Sequence, residues 1–161
     1  MTSALNERIN DKLVRVYRDI CNIEERELKK GPFHDLSIKE LHTINAITMY
    51  DHKTSSQVSK EMQVTPGTLT AAIDNLVRKG YVERLRQKTD RRVIRLGLTR
   101  KGRSAYRLHD LFHRKMVASF LEGFDEAEIG LIEKAVDNLI GFLETTAQAT
   151  PKQKANKKAG V

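Results

Sequence analysis

The sequence predicts a mainly α-helical fold carrying one small β-hairpin, and three observations predict it. Apolar residues recur at helical spacing in six separate stretches. Several of these stretches open on a capping signature: Ser37 with Glu40, Thr54 with Gln57, Asp125 with Glu128, and Thr65 followed by Pro66. Only two runs alternate, residues 81–86 and 93–98, and a polar loop separates them, as in a two-stranded hairpin.

The first helix is expected over residues 5–29, with Ile9, Leu13, Val16, Ile20 and Ile23 as its stripe, and Gly31-Pro32 ends it. The second runs from the Ser37 box to about Tyr50, with Ile38, Leu41, Ile44, Ile47 and Thr48 inward. Residues 51–53 link it to a short helix opened by Thr54, with Val58 and Met62 apolar. Gln63-Val64 breaks the pattern. Thr65 then caps a fourth helix, and Pro66 takes the first position, where a missing N–H costs nothing. Leu69, Ile73, Leu76 and Val77 form its buried face, and Lys79-Gly80 ends it. After the hairpin, Thr99 caps a long helix reaching about Glu122, with Ala105, Leu108, Phe112, Met116 and Phe120 on one side. Gly123-Phe124 breaks it. The last helix carries Ile129, Ile132, Val136, Leu139, Ile140 and Leu143. Beyond Thr146 periodicity stops and the only charges are lysines, so residues 147–161 are expected to be a disordered basic tail.

Two helices joined by a short turn make a helix-turn-helix. The open face of the second offers Thr65, Gly67, Thr68, Thr70, Ala71, Asp74, Asn75 and Arg78. A first turn of small and hydroxylated residues lets backbone approach a groove floor, as a recognition helix requires. A helical hairpin with a polar solvent face accounts for the two helices equally well. The following hairpin does not suit that simpler reading, because its loop is polar and basic, with Lys88, Asp90, Arg91 and Arg92 at the tip. Helix-turn-helix plus basic hairpin is a winged helix. Its tip is placed to insert Arg91 or Arg92 in a minor groove, with Asp90 orienting the guanidinium. Charge location supports this: residues 54–103 hold twelve Lys/Arg against four acids, a net +8 equal to that of the whole chain.

The run VTPGTLTAAIDNLVRKGYVERLRQKTDRRVIRLGLTRKGR resembles the core of the MarR family of winged-helix regulators. The likeness lies in the V-T-x-G-T-L-T helix start, the L-x-x-K-G-Y-V-x-R exit, the D-R-R wing and the L-T-x-K-G-R lead-in to the next helix. FHDLSIKELHTINAI and YRLHDLFHRKM further resemble the Gram-positive FabT-type branch, repressors of fatty-acid synthesis genes. The resemblance implies a homodimer with the first, fifth and sixth helices intertwined. It also implies a long-chain acyl group on acyl carrier protein as corepressor, in a cleft beside the winged helix. Residues 1–34 and 104–146 are then dimerisation helices, and 35–103 the DNA-binding domain. Surplus apolar surface on the terminal helices independently calls for a partner copy. A two-fold dimer calls in turn for an inverted-repeat operator in double-stranded DNA. Phe33, Leu36, Ile38, Leu41, Ile44, Leu108, Phe112 and Met116 are compatible with an acyl slot, and equally with plain core.

Other chemistry is sparse. His109 and His113 stand at i and i+4, a spacing able to hold zinc, but the sequence shows no third ligand near them, so no metal site is assigned. His34 and His42 join them only if folding happens to bring them close. Cys21 suits the single reactive cysteine of redox-sensing relatives, yet Glu24 and Glu25 surround it with negative charge that Arg18 alone opposes. A redox or metal sensor, and a basic module binding acidic proteins without DNA, are the alternatives. No phosphate-cradling loop, nucleophile motif or carboxylate pair stands out, so no enzyme and no cofactor are expected. No apolar run is long enough for a bilayer, residues 1–17 lack the apolar core of a signal peptide, and one cysteine closes no internal disulfide; these point to the cytoplasm and no membrane partner.

Overall fold

The computed structural model describes residues 2–86 and 94–149. In chain order they form α1 (Thr2–Lys30), α2 (Ile38–Ile47), α3 (Ser55–Glu61), α4 (Pro66–Arg78), β1 (Val82–Arg86), β2 (Ile94–Leu98), α5 (Arg100–Phe120) and α6 (Glu126–Ala149). The mainly helical fold with one two-stranded antiparallel sheet is as the sequence predicts. The chain divides into two compact units, Met1–His113 and Arg114–Val161, so the boundary falls inside α5.

The capping boxes form as read. Ser37 N–H donates to Glu40 Oε2 at 2.7 Å while Glu40 N–H donates to Ser37 Oγ at 3.2 Å. Thr54 with Gln57 and Asp125 with Glu128 repeat this reciprocal pairing, and Thr65 Oγ1 accepts from Thr68 N–H at 3.2 Å. Each box satisfies N–H groups that the first helical turn leaves without partners.

Several boundaries differ from the periodic reading: α1 starts at Thr2 rather than Leu5, and α5 stops at Phe120 rather than Glu122. α2 stops at Ile47 rather than Tyr50, because Thr48 takes φ 61° and its hydroxyl donates to Asp51 at 2.9 Å. A β-branched residue rarely adopts that conformation, and nothing in its neighbours' types announces it. α6 continues to Ala149, three residues past Thr146, which shortens the proposed tail; residues 150–161 lie outside those described.

The core of the first unit joins α2, α3, α4, the sheet and the start of α5. Ile44, Ile47, Val58, Leu69, Ile73, Leu76, Tyr81, Leu96 and Leu98 are essentially inaccessible. The sheet pairs Val82 with Leu98 and Arg86 with Ile94, and the Lys53-Thr54 segment adds a further contact, Leu96 N–H to Lys53 O at 2.9 Å. That contact was not legible, since residues 51–53 carry no strand pattern. α5 fits close beneath the wing because Gly102 has no side chain: a Cβ there would lie 2.0 Å from Tyr81 O.

α1 is solvent-facing over most of its length, with Leu5, Ile9, Leu13 and Val16 exposed, but it buries Leu28 and Glu24. Glu24 Oε1 lies 3.0 Å from both His109 Nε2 and His113 Nε2. The expectation that the two histidines lack a third partner is therefore corrected: the partner is 85 residues upstream of His109, where spacing cannot reveal it. Burial and the neighbouring His113 hold His109 below the ordinary histidine range, against the pull of Glu24. In the second unit α6 also exposes apolar side chains, Leu131 at 70% and Phe142 at 64%.

Candidate nucleic-acid interface

The turn between α3 and α4 is built by backbone. Gln63 takes φ 53° just after the α3 cap, its N–H donates to Lys60 O at 3.2 Å, and Val64 N–H donates to Ser59 O at 3.0 Å. This closes α3 without glycine and fixes the angle at which α4 leaves. The same closure ends α4 at Gly80, φ 78°, with Tyr81 N–H reaching back to Leu76 O at 2.9 Å.

α4 turns Leu69, Ile73 and Leu76 into the core, so its other face is set by the helical period. Thr65, Pro66, Gly67, Thr68, Thr70, Ala71, Asp74 and Arg78 are exposed. The first turn is internally tied. Thr65 and Thr68 share a hydroxyl contact at 2.8 Å, and Thr70 Oγ1 donates to Pro66 O at 2.9 Å. A Cβ on Gly67 would meet nothing within 4 Å, so intrachain packing does not require glycine there. Asn75 is half-buried: its amide donates to Glu40 and its carbonyl accepts from Arg78.

Ion pairs fix α4 to its surroundings. Lys79 bonds Glu40 at 2.8 Å, and Arg84 of β1 bonds Asp74 at 2.5 Å. Tyr81 donates its hydroxyl to Asp35 at 2.5 Å, Lys101 reaches Asp35 at 3.2 Å, and the same ammonium stands 4.0 Å from the Tyr81 ring centre. Burial opposes ionisation of Asp35, but the bonds from Tyr81 and Lys101 outweigh it and hold the carboxyl below its usual range. Burial first, and Asp35 second, push the Tyr81 hydroxyl above its usual range. Tyr81 opens the alternating run of the hairpin, but no sequence signal marks its link to Asp35, 46 residues away.

The wing residues Lys88, Asp90, Arg91 and Arg92 lie outside the described residues. Of the residues read as a slot, Leu36, Leu41 and Ile44 are core, Phe33 and Ile38 pack against it, Phe112 is half-buried and Leu108 is half exposed. Met116, half-buried, belongs to the second unit. Cys21 is exposed on α1. Among the described residues no helix is long and apolar enough to cross a membrane.

A helix-turn-helix held against an antiparallel hairpin, with small hydroxylated residues on the free face of its second helix, defines a winged-helix DNA-binding regulator. The MarR family profile matches residues 34–93. A crystal structure of Streptococcus pneumoniae FabT in complex with DNA is 47% identical, with TM-score 0.78, covering 88% of this chain and 99% of that one. The HTH-type transcriptional regulator PchR of Bacillus subtilis is 22% identical over 87% of this chain and 82% of its own length. The Staphylococcus aureus MepR–DNA complex, at 18% identity and TM-score 0.65 over 81% of this chain and 93% of that one, shares the fold. The chain belongs to the MarR family of transcriptional regulators, and its likeness to FabT supports that branch. It is a DNA-binding regulator and not an enzyme.

Proposed function

We propose that the chain is a homodimeric, sequence-specific repressor of fatty-acid synthesis genes, reading an inverted-repeat operator with a long-chain acyl group on acyl carrier protein as corepressor. The observation that carries this reading is the 47% identity, over nearly its full length, to a FabT solved on DNA. On this reading Thr68, Thr70, Gly67 and Ala71 approach base edges, Thr65 and Arg78 flank them at phosphates, and Asn75 holds the Arg78 guanidinium. Arg91 and Arg92, with Lys88, serve the minor groove and Asp90 orients them.

A corepressor strengthens repression only by binding the DNA-competent state more tightly. Leu36, Leu41 and Ile44 already fill the core, so an acyl chain entering beside α2 has Phe33, Ile38, Leu108 and Phe112 as its first contacts. The acidic carrier is complementary to a protein of net charge +8. Gel shift on an inverted-repeat promoter fragment, with and without acyl carrier protein loaded with a long chain, tests the proposal. Tighter binding with the loaded carrier alone is expected; no change would remove the corepressor. Arg92→Ala is expected to cost roughly 1–3 kcal/mol of DNA affinity at matched salt.

A further inference from the structure

We propose that Glu40 is a positioning residue for DNA binding: held at the start of α2, it orients Asn75, and through Asn75 it sets the pose of the Arg78 guanidinium on the open face of α4. The inference rests on α4 lying against the duplex, as proposed above, and supplies the anchor behind the Asn75–Arg78 bond.

The two carboxylate oxygens of Glu40 have different partners. Oε2 closes the α2 capping box, accepting from Ser37 N–H at 2.7 Å, and also accepts from Lys79 Nζ at 2.8 Å. A capping box needs one oxygen only. The other, Oε1, accepts from the side-chain amide of Asn75, 35 residues along the chain. Lys79 also donates to the carbonyl of Asp35. The carboxylate is thus braced by α2, by the segment before α2 and by the end of α4 before it meets Asn75. Glu40 is buried and Asn75 half-buried, whereas Arg78 is exposed.

Donor and acceptor chemistry then fixes Asn75. Burial opposes ionisation of Glu40, but Lys79 and Ser37 outweigh it and hold the carboxyl below its usual range. Near neutral pH it can only accept, and a guanidinium can only donate. Asn75 stands between them, so its amide nitrogen faces Glu40 and its Oδ1 accepts from Arg78 Nη2. The reverse orientation would set acceptor against acceptor and donor against donor. A free arginine side chain loses rotamer freedom on meeting a phosphate; one already bonded has lost part of it and keeps its other donors for DNA.

The test measures affinity of the full chain, by fluorescence anisotropy, for a labelled inverted-repeat promoter fragment and for a scrambled duplex at the same salt. Glu40→Gln keeps the shape and removes a negative charge, which by charge alone would tighten binding to any DNA. Positioning predicts the opposite sign. Glu40→Gln and Asn75→Ala should each weaken binding to both duplexes by about 3–10-fold, as Arg78→Ala does. In the Arg78→Ala background neither change should lower affinity further by more than about twofold, whereas independent residues multiply their losses. Asn75→Ala keeps the test sound if the buried Glu40 variant fails to fold, as circular dichroism would report. Unchanged or tighter binding by Asn75→Ala or by folded Glu40→Gln, or losses that persist without Arg78, would overturn the role of Glu40 and leave α4 as the recognition helix. Arg78→Ala without effect on either duplex would overturn it at the other end, by taking Arg78 off the DNA.

Discussion

Gly67 separates what the fold needs from what a partner needs. Glycine costs up to roughly 0.5–1 kcal/mol relative to alanine inside a helix and less in a first turn, where Gly67 stands, and here no neighbour occupies the space a Cβ would take. Gly67→Ala is therefore expected to stabilise the protein by up to that amount in urea titration while weakening operator binding by roughly 1–3 kcal/mol. A variant that gained stability and kept full affinity would remove close backbone approach from the account. Gly102 is the opposite case, held by Tyr81 O, and its glycine is structural. Both glycines sit inside recognisable motifs in the sequence, yet the sequence does not distinguish their reasons; that takes the backbone path of the wing.

At the scale of elements, what was legible was local. Caps and stripes placed all six helices, because reciprocal N-terminal bonds and a 3.6-residue period act within a few residues. What was not legible joins distant elements: Asp35 to Tyr81 and Lys101, Glu40 to Asn75 and Lys79, Glu24 to the α5 histidines. The Asp35–Tyr81 pair makes stability depend on pH at both ends. Asp35 ionises more readily folded than unfolded, so its contribution is present above the ordinary aspartate range and fades as pH falls through its lowered folded value. Tyr81 resists ionisation when folded, so its contribution is present below about pH 10 and is lost as pH rises toward its raised folded value. Tyr81→Phe is expected to cost about 1 kcal/mol at neutral pH and to flatten the alkaline limb of a stability–pH curve. An unchanged alkaline limb would show that the hydroxyl does not carry it.

At the scale of the whole molecule, charge and exposed apolar surface divide the labour. Positive charge concentrates in residues 54–103, whereas the terminal helices leave large apolar side chains in water, Leu13 and Val16 on α1 and Leu131 and Phe142 on α6. A second copy covering such surface accounts for it, and the proposed dimer presents two recognition helices about 34–36 Å apart if they lie one turn apart. Phe142→Glu is expected to shift sedimentation toward monomer and to lower operator affinity about 100-fold through loss of the second half-site. A variant that remained dimeric would take Phe142 out of the interface. The central claim, that α4 and the wing read a specific duplex, is tested most directly by fluorescence anisotropy. The purified chain would be titrated into a labelled inverted-repeat promoter fragment and, at the same salt, into a scrambled duplex of equal composition. The account predicts binding to the inverted repeat tighter by about a thousandfold or more. Equal affinity for the two duplexes would contradict it.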